Sequence, residues 1–273
     1  MSYYGDFKEE KFYFRPSYGK IEYNGKYFHL IKSREKKEDF YPISSLHNPL
    51  KPRLRFLNLY NKYYKQNNKH LNIGLGIGDY ELFLSRLPVK LYSIEHPKDL
   101  VLKENITQKN IAVSKTLIST VDICESALPF EDNFFDSVSL LEVFEHLPPE
   151  KLSFAILEIT RVLKSNGYLY LSTPNLASLE NRLLLMFKGK LFLSLPQKGE
   201  VIFGHLRTYT ASEIKNFFLS FGYETLEQVF FTDNITYKAK DNLFHIIQAR
   251  LIKLLVRFNK NFNNSMMFVM RKF

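Results

Sequence analysis

The chain has 273 residues, an apolar share of 45% and one cysteine, Cys124, enough for one large domain or one and a half with a real core, and it excludes an internal disulfide framework. The opening "MSYYGDFKEEKFYF" lacks the apolar run of a signal peptide, and "LFHIIQARLIKLLV" is broken by Arg250 and Lys253 before it could span a bilayer, so a soluble, cytoplasmic protein is expected. A formal charge of +10 favours acidic partners such as nucleic acid, an anionic membrane face or a phosphorylated small molecule, although a lysine-rich proteome gives the same balance.

Residues 1–50 read as an appendage. "KIEYNGKYFHL" alternates around Asn24-Gly25, which predicts a β-hairpin with a two-residue turn, and its aromatic residues suggest that it packs on the rest as a lid or dimer arm. After "NPLKP", "RLRFLNLYNKYYKQ" has helical spacing and leads into a buried strand, "HLNIGL". Then elements alternate. "DYELFLSRL" predicts a helix, "VKLYSIE", "TLISTVDI" and "FFDSVSLL" strands. Pro148-Pro149 open a helix through "EKLSFAILEITRVLK", with Leu152, Ala155, Ile156, Ile159, Val162 and Leu163 on one stripe, and Asn166-Gly167 end it in a left-handed conformation. "YLYLST" is the next strand, "TASEIKNFFLSFG" a helix with a Thr210–Glu213 capping box, and "ETLEQVFFT" and "SMMFVMRKF" two final strands. This alternation predicts an α/β fold with a parallel sheet covered on both faces.

The chemistry starts at "NIGLGIG", where three of only eleven glycines, Gly74, Gly76 and Gly78, sit on alternate positions after a strand. A strand, a glycine turn and a helix place a ligand at the strand's carboxyl end. The third glycine comes one residue earlier than in the dinucleotide fingerprint, Asp79 stands where that fingerprint needs glycine, and no Gly-Lys-Ser/Thr follows. A pyrophosphate is disfavoured beside that carboxylate; a cationic or zwitterionic ligand is not. Glu95 ends the second strand of the sheet and can accept from ribose hydroxyls. Asp122, with the Ile123 backbone beside it, ends the third and can accept from an adenine amino group. Together these describe a nucleoside cradle without a phosphate site.

At these residues the chain resembles the class I S-adenosylmethionine-dependent methyltransferases. The resemblance runs over about residues 55–273 and includes "YSIEH", the block "VDICESALPFEDNFFDSVSLLEVFEHLPPEKLSFAILEITRVLKSNGYLYLSTPN" and "GHLRTYTASEIKNFFLSFGYE". It is similar to the branch with ubiquinone-biosynthesis and surface-glycan methyltransferases. The resemblance implies a Rossmann-like, doubly wound seven-stranded sheet with an antiparallel last strand, and S-adenosyl-L-methionine as cofactor. It implies a cofactor set of Asn72, Gly74, Gly76, Gly78, Glu95, Asp122, Ile123 and Leu141. One departure is Asn72: the family usually has an acid there, which helps to hold the cofactor's ammonium, and an amide brings no charge.

Methyl transfer to oxygen requires an aligned acceptor and gains from a base. "LLEVFEHL" places Glu142, Glu145 and His146 three and four apart, on one side of a helical turn, and His146 titrates near neutrality. Base, bracing scaffold and divalent-metal ligand are all open for this cluster, the last because the ubiquinone-type Glu-x-x-Glu-His pattern is associated with a metal; no residue is assigned as a metal ligand. His205, in "FGHLRTYT", is a second catalytic candidate, with Arg207 available to an acidic substrate. Cys124 follows the third strand and reads as a small buried residue.

The acceptor expected is a small molecule or a saccharide of a surface glycan or lipid-linked precursor, under a lid formed by the insertion 176–208. The segment 241–260 is amphipathic, with Arg250, Lys253, Arg257 and Lys260 opposite Ile247, Leu251, Leu254, Leu255 and Phe258. It suits either packing on the sheet or peripheral contact with an anionic inner membrane face. An RNA methyltransferase is the first alternative, but no Asn/Asp-Pro-Pro-Tyr/Phe follows the fourth strand and no RNA-binding module is recognisable; nucleic acid is therefore not expected as a partner. A non-catalytic binding module of the same fold is the second. Monomer and homodimer are both open.

Overall fold

The computed structural model describes residues 20–31, 50–76, 78–97, 105–189, 191, 205–232, 254–255 and 258–273. A hairpin of β1 (Lys20–Tyr23) and β2 (Phe28–Ile31) precedes a seven-stranded sheet. In chain order the sheet region runs α1 (Leu50–Tyr63), β3 (Lys69–Ile73), α2 (Asp79–Leu84), β4 (Lys90–Glu95), α3 (Asn105–Ser114), β5 (Leu117–Thr120), β6 (Phe135–Leu141), α4 (Leu152–Val162), β7 (Leu163–Pro174), α5 (Leu179–Lys188), α6 (Ala211–Ser220), β8 (Tyr223–Phe231) and β9 (Ser265–Lys272). The strand order is β5-β4-β3-β6-β7-β9-β8. β9 is antiparallel to both neighbours, while the β3–β4, β4–β5, β3–β6 and β6–β7 pairs are parallel. The expected sheet with its antiparallel final strand is therefore present.

Alternation along the central strands divides the core into two layers. Leu169 and Leu171 of β7, with Met266, Phe268 and Met270 of β9, join the layer that includes α4 and α6. Tyr170, Met267 and Val269 point the other way, toward α1, α2 and the hairpin. The stripe read on α4 is buried throughout, from Leu152 to Val162.

Three local readings change. The hairpin loop has four residues, Asn24–Tyr27, because the Asn24 carboxamide oxygen accepts the N–H groups of Lys26 and Tyr27 at 3.0 and 2.9 Å and so closes a wider turn. The helix α4 stops at Val162, and Leu163 already pairs with Phe135 of β6. The residue that turns left-handed there is Asn166, φ 60°, not Gly167. The hairpin itself belongs to the core: Ile21 and Phe28 are buried against Phe56, Leu57 and Tyr60, and Asn58 of α1 bonds both backbone groups of Phe28.

Of the expected lid, residues 176–189, 191 and 205–208 are described; the rest lies outside the described residues. The described part contains α5, capped by Ser178 and ended by Gly189 at φ 62°. Most of the segment 241–260 also lies outside; of its apolar face, Leu254, Leu255 and Phe258 are described, Leu254 and Phe258 exposed and Leu255 half-buried. No helix among the described residues is long and apolar enough to cross a membrane.

Candidate active site

The sheet order reverses at β3, which lies between β4 and β6, so the loops after β3, β4 and β6 converge where an open α/β sheet leaves a crevice. The loop after β3 is the glycine turn. Gly74, Gly76 and Gly78 all have positive φ, at 85°, 56° and 72°, which side chains tolerate poorly, and Gly78 caps the N-terminus of α2. The three serve different ends. A Cβ on Gly74 would stand 2.5 Å from Val143 Cγ2, so a bare backbone here lets the β6 loop close on the β3 loop. A Cβ on Gly76 would meet nothing within 4 Å. The Gly76 N–H donates to Glu95 Oε2 at 3.2 Å and the His96 N–H to Oε1 at 3.0 Å. A carboxylate beneath an open, glycine-lined surface fits the ribose end of an adenosyl ligand.

Asp122 lies two residues beyond β5, where its Oδ1 accepts the Cys124 N–H at 2.9 Å and its Oδ2 is 3.4 Å from His96 Nε2. Ile123 and Leu141 are buried beside these strand ends. Cys124 is half-buried, and burial, with Asp122 adding to it, pushes its thiol up to about 11, so it is protonated near neutrality and is no nucleophile.

Asn72 is fully engaged inside the protein. Its Nδ2 donates to Glu81 Oε1 at 2.7 Å and to the Gly74 carbonyl at 3.2 Å, and its Oδ1 accepts from Ser139 Oγ at 2.7 Å. Ser93 Oγ also donates to Glu81 Oε1, at 2.7 Å. Farther along, Ser139 meets His70 Nε2 and Ser137 meets His70 Nδ1. Glu81 has no counterpart in the sequence reading. The only signal for it was an acid within the short apolar helix "DYELFL".

After β6 the chain does not make the regular helical turn expected for Glu142–His146. Glu142 takes a left-handed backbone, φ 57°, a conformation that costs a non-glycine residue about 1–3 kcal/mol and concentrates at functional sites. A 3-10 turn follows at Phe144–His146. Phe144 plugs it into the core against Tyr209 and Phe218. The two carboxylates differ in burial but stay close enough to interact: Glu142 Oε1 accepts from Ser172 Oγ at 2.8 Å at the surface, whereas Glu145 is completely buried and its Oε2 accepts from Thr173 Oγ1 at 3.0 Å. Burial, reinforced by the charge of Glu142, holds the Glu145 carboxyl well above the usual carboxylate range.

His205 arrives from far along the chain. The Glu145 carbonyl accepts the N–H groups of Leu206 and Arg207 at 2.9 and 3.3 Å, which brings the His205 ring to 4.8 Å from that of His146, edge to face. His146 Nε2 and His205 Nε2 then lie 3.9 and 3.7 Å from Glu145 Oε1, a buried oxygen without a hydrogen-bond partner. Burial, and then His146, lowers the His205 imidazole to about 4, so it is neutral near pH 7. All four catalytic candidates are thus brought together. The three ligand atoms lie within 4.8 Å of one another, and two nitrogens with one oxygen suit a borderline divalent cation better than magnesium. Arg207 is not held out for a substrate: its Nη2 pairs with Glu213 Oε1 at 2.9 Å, and it lies over the Tyr209 ring.

Residues 71–171 match the sequence profile of the family described as "Methyltransferase domain". The fold is shared with solved structures at low identity. A SAM-dependent methyltransferase from Archaeoglobus fulgidus is 19% identical, with a TM-score of 0.55 over 82% of this chain and 93% of that one. A second from Methanosarcina mazei is 15% identical, at 0.56 over 78% and 96%. The [4+2]-cyclase SpnF is 17% identical, at 0.53 over 80% of each chain. A search of curated protein sequences finds no match. The glycine turn and the strand-end acids fall within the matched stretch, and together they lead to one conclusion: the chain contains a methyltransferase domain, with S-adenosylmethionine as the cofactor that the match implies.

Proposed function

We propose that this enzyme methylates a hydroxyl oxygen of a small molecule or of a sugar in a surface glycan or lipid-linked precursor. The observation that carries the reading is the pair of imidazoles, His146 and His205, around the buried Glu145 oxygen on the β6 side of the crevice. When bound, S-adenosylmethionine would supply an electrophilic methyl group to the acceptor oxygen, with a neutral thioether as the leaving group.

The chain's part is to place the hydroxyl and take its proton. His205, neutral near pH 7, accepts the proton on Nε2, with His146 beside it as the alternative acceptor. The Glu145 carboxyl, whose second oxygen is fixed by Thr173, offers its other oxygen to the ring that has taken the proton. Should a divalent cation be used, Glu145, His146 and His205 would hold it, and it would supply Lewis acidity toward the same hydroxyl. The segment 176–208 would cover the acceptor, consistent with its α5 ending in exposed Leu185, Met186 and Phe187. Peripheral attachment to an anionic membrane through 241–260 fits the exposure of Leu254 and Phe258.

The test is transfer of a labelled methyl group from S-adenosylmethionine to a panel of sugars, polyprenyl-linked saccharides, catechols and RNA. Labelling of a hydroxyl acceptor that is lost in His205→Ala, with product-cofactor binding retained, is the expected result. Labelling of RNA or of an amine alone would overturn the reading.

A further inference from the structure

The amino-acid end of the cofactor carries an ammonium beside its carboxylate, and the chain must meet that ammonium near the glycine turn. The neighbouring acids differ in how they are satisfied. Asp79 is bonded by Arg53. Glu95 accepts two backbone N–H groups. Glu81 is buried on the inner face of α2, its Oε1 takes two neutral donors, Asn72 and Ser93, its Oε2 has no partner, and among the described residues no cation lies within 4 Å. A buried carboxylate held without a cation is costly.

Among the described residues its surroundings offer hydrogen bonds but no opposite charge. Asp79 and Tyr80 flank it on α2 and raise rather than lower its proton affinity, or are themselves neutral. Ser93 of β4 leads to Thr116, and Asn72 of β3 leads through Ser139 of β6 to His70, which burial keeps neutral at about 3. Among the described residues, the connection toward the crevice is the Asn72 amide, which touches both Glu81 and the carbonyl of Gly74.

We propose that Glu81 is the counter-charge for the ammonium on the amino-acid end of the cofactor, acting as a positioning residue through Asn72 and the Gly74 carbonyl. The acid that an amide replaces at position 72 is thereby supplied from the adjacent helix. Burial raises the Glu81 carboxyl to about 7, so below that pH a ligand ammonium placed against this network must expel a proton from it, and affinity falls as pH falls.

Calorimetry with two adenosyl ligands tests this. S-adenosylhomocysteine has the ammonium; methylthioadenosine lacks the whole amino-acid end. In Glu81→Gln the affinity for the first should fall about tenfold, the scale seen for outer-layer partners at metal sites, while that for the second stays within about twofold. Asn72→Asp combined with Glu81→Gln should restore the first. In the unmodified protein, S-adenosylhomocysteine should release a proton below pH 7 and methylthioadenosine should not; this arm decides the matter even where a variant fails to fold. Equal losses for both ligands, no loss, or no difference in proton release would overturn the role of Glu81. Failure of both ligands to bind the unmodified protein would instead overturn the cofactor site.

Discussion

On the glycine-turn side, Asn72, Gly74, Gly76, Glu81 and Glu95 come from one β-α-β unit between positions 72 and 95, and each is placed by its own strand or by the helix between. On the histidine side, Glu142, Glu145 and His146 meet Ser172 and Thr173 of β7 and His205 from beyond α5. The first side is a local construction with a buried polar network beneath it. The second is assembled by long-range backbone bonds to the Glu145 carbonyl. Local geometry suits a ligand common to many enzymes; a site drawn from distant segments changes with the loops that supply it. That the [4+2]-cyclase shares the fold is in keeping with function residing in such grafted sites.

Four experiments break or sharpen this contrast. The largest effect is expected from His205→Ala, which should lower methyl transfer by about 10²–10³-fold, the usual contribution of a positioned base, and leave S-adenosylhomocysteine affinity within about twofold. Since the His205 imidazole is lowered to about 4, its protonation should not reduce turnover until the pH approaches that value. Equal damage to cofactor binding would show that the two sides are not separable.

Gly74→Ala tests the place where they touch. A side chain at φ 85° and 2.5 Å from Val143 should cost about 1–3 kcal/mol of stability and weaken cofactor binding and turnover together, as read by melting temperature and calorimetry. Val143→Ala in the same chain should recover part of the loss by vacating the contact.

The buried network is examined by the pH dependence of stability. Glu81 has a folded value of about 7 against an ordinary 4.5, so the folded state holds the extra proton between those limits. Its contribution is whole below pH 4.5 and is lost as pH rises through 7. Relative to Glu81→Gln, the unmodified protein should therefore lose about 1.4 kcal/mol per pH unit across that window. Chemical denaturation at several pH values measures the difference.

The smallest effect belongs to Thr210→Ala. Thr210 Oγ1 accepts the Glu213 N–H while the Glu213 carboxylate accepts the Thr210 N–H, and losing this cap should cost about 1 kcal/mol. It should loosen the chain that carries His205 and leave ligand binding at the glycine turn unchanged.

The sequence by itself determined the parts whose cause is local. Alternation and helical spacing marked the strands and helices of the sheet, the Thr210–Glu213 box marked the start of α6, and alternate glycines followed by strand-end acids marked the candidate cofactor cradle, since backbone freedom and carboxylate position depend on a few neighbouring residues. Only the tertiary structure decided that Gly74 is bare to admit Val143, that Glu142 stays at the surface while Glu145 is buried, and that His205 joins Glu145. Only it revealed Glu81 as a buried charge, because an acid in a short helix reads as solvated until the strands and the amide packed against it are known. Burial and long-range contact turn these ordinary side chains into chemistry, and both are properties of the packed sheet rather than of any one segment.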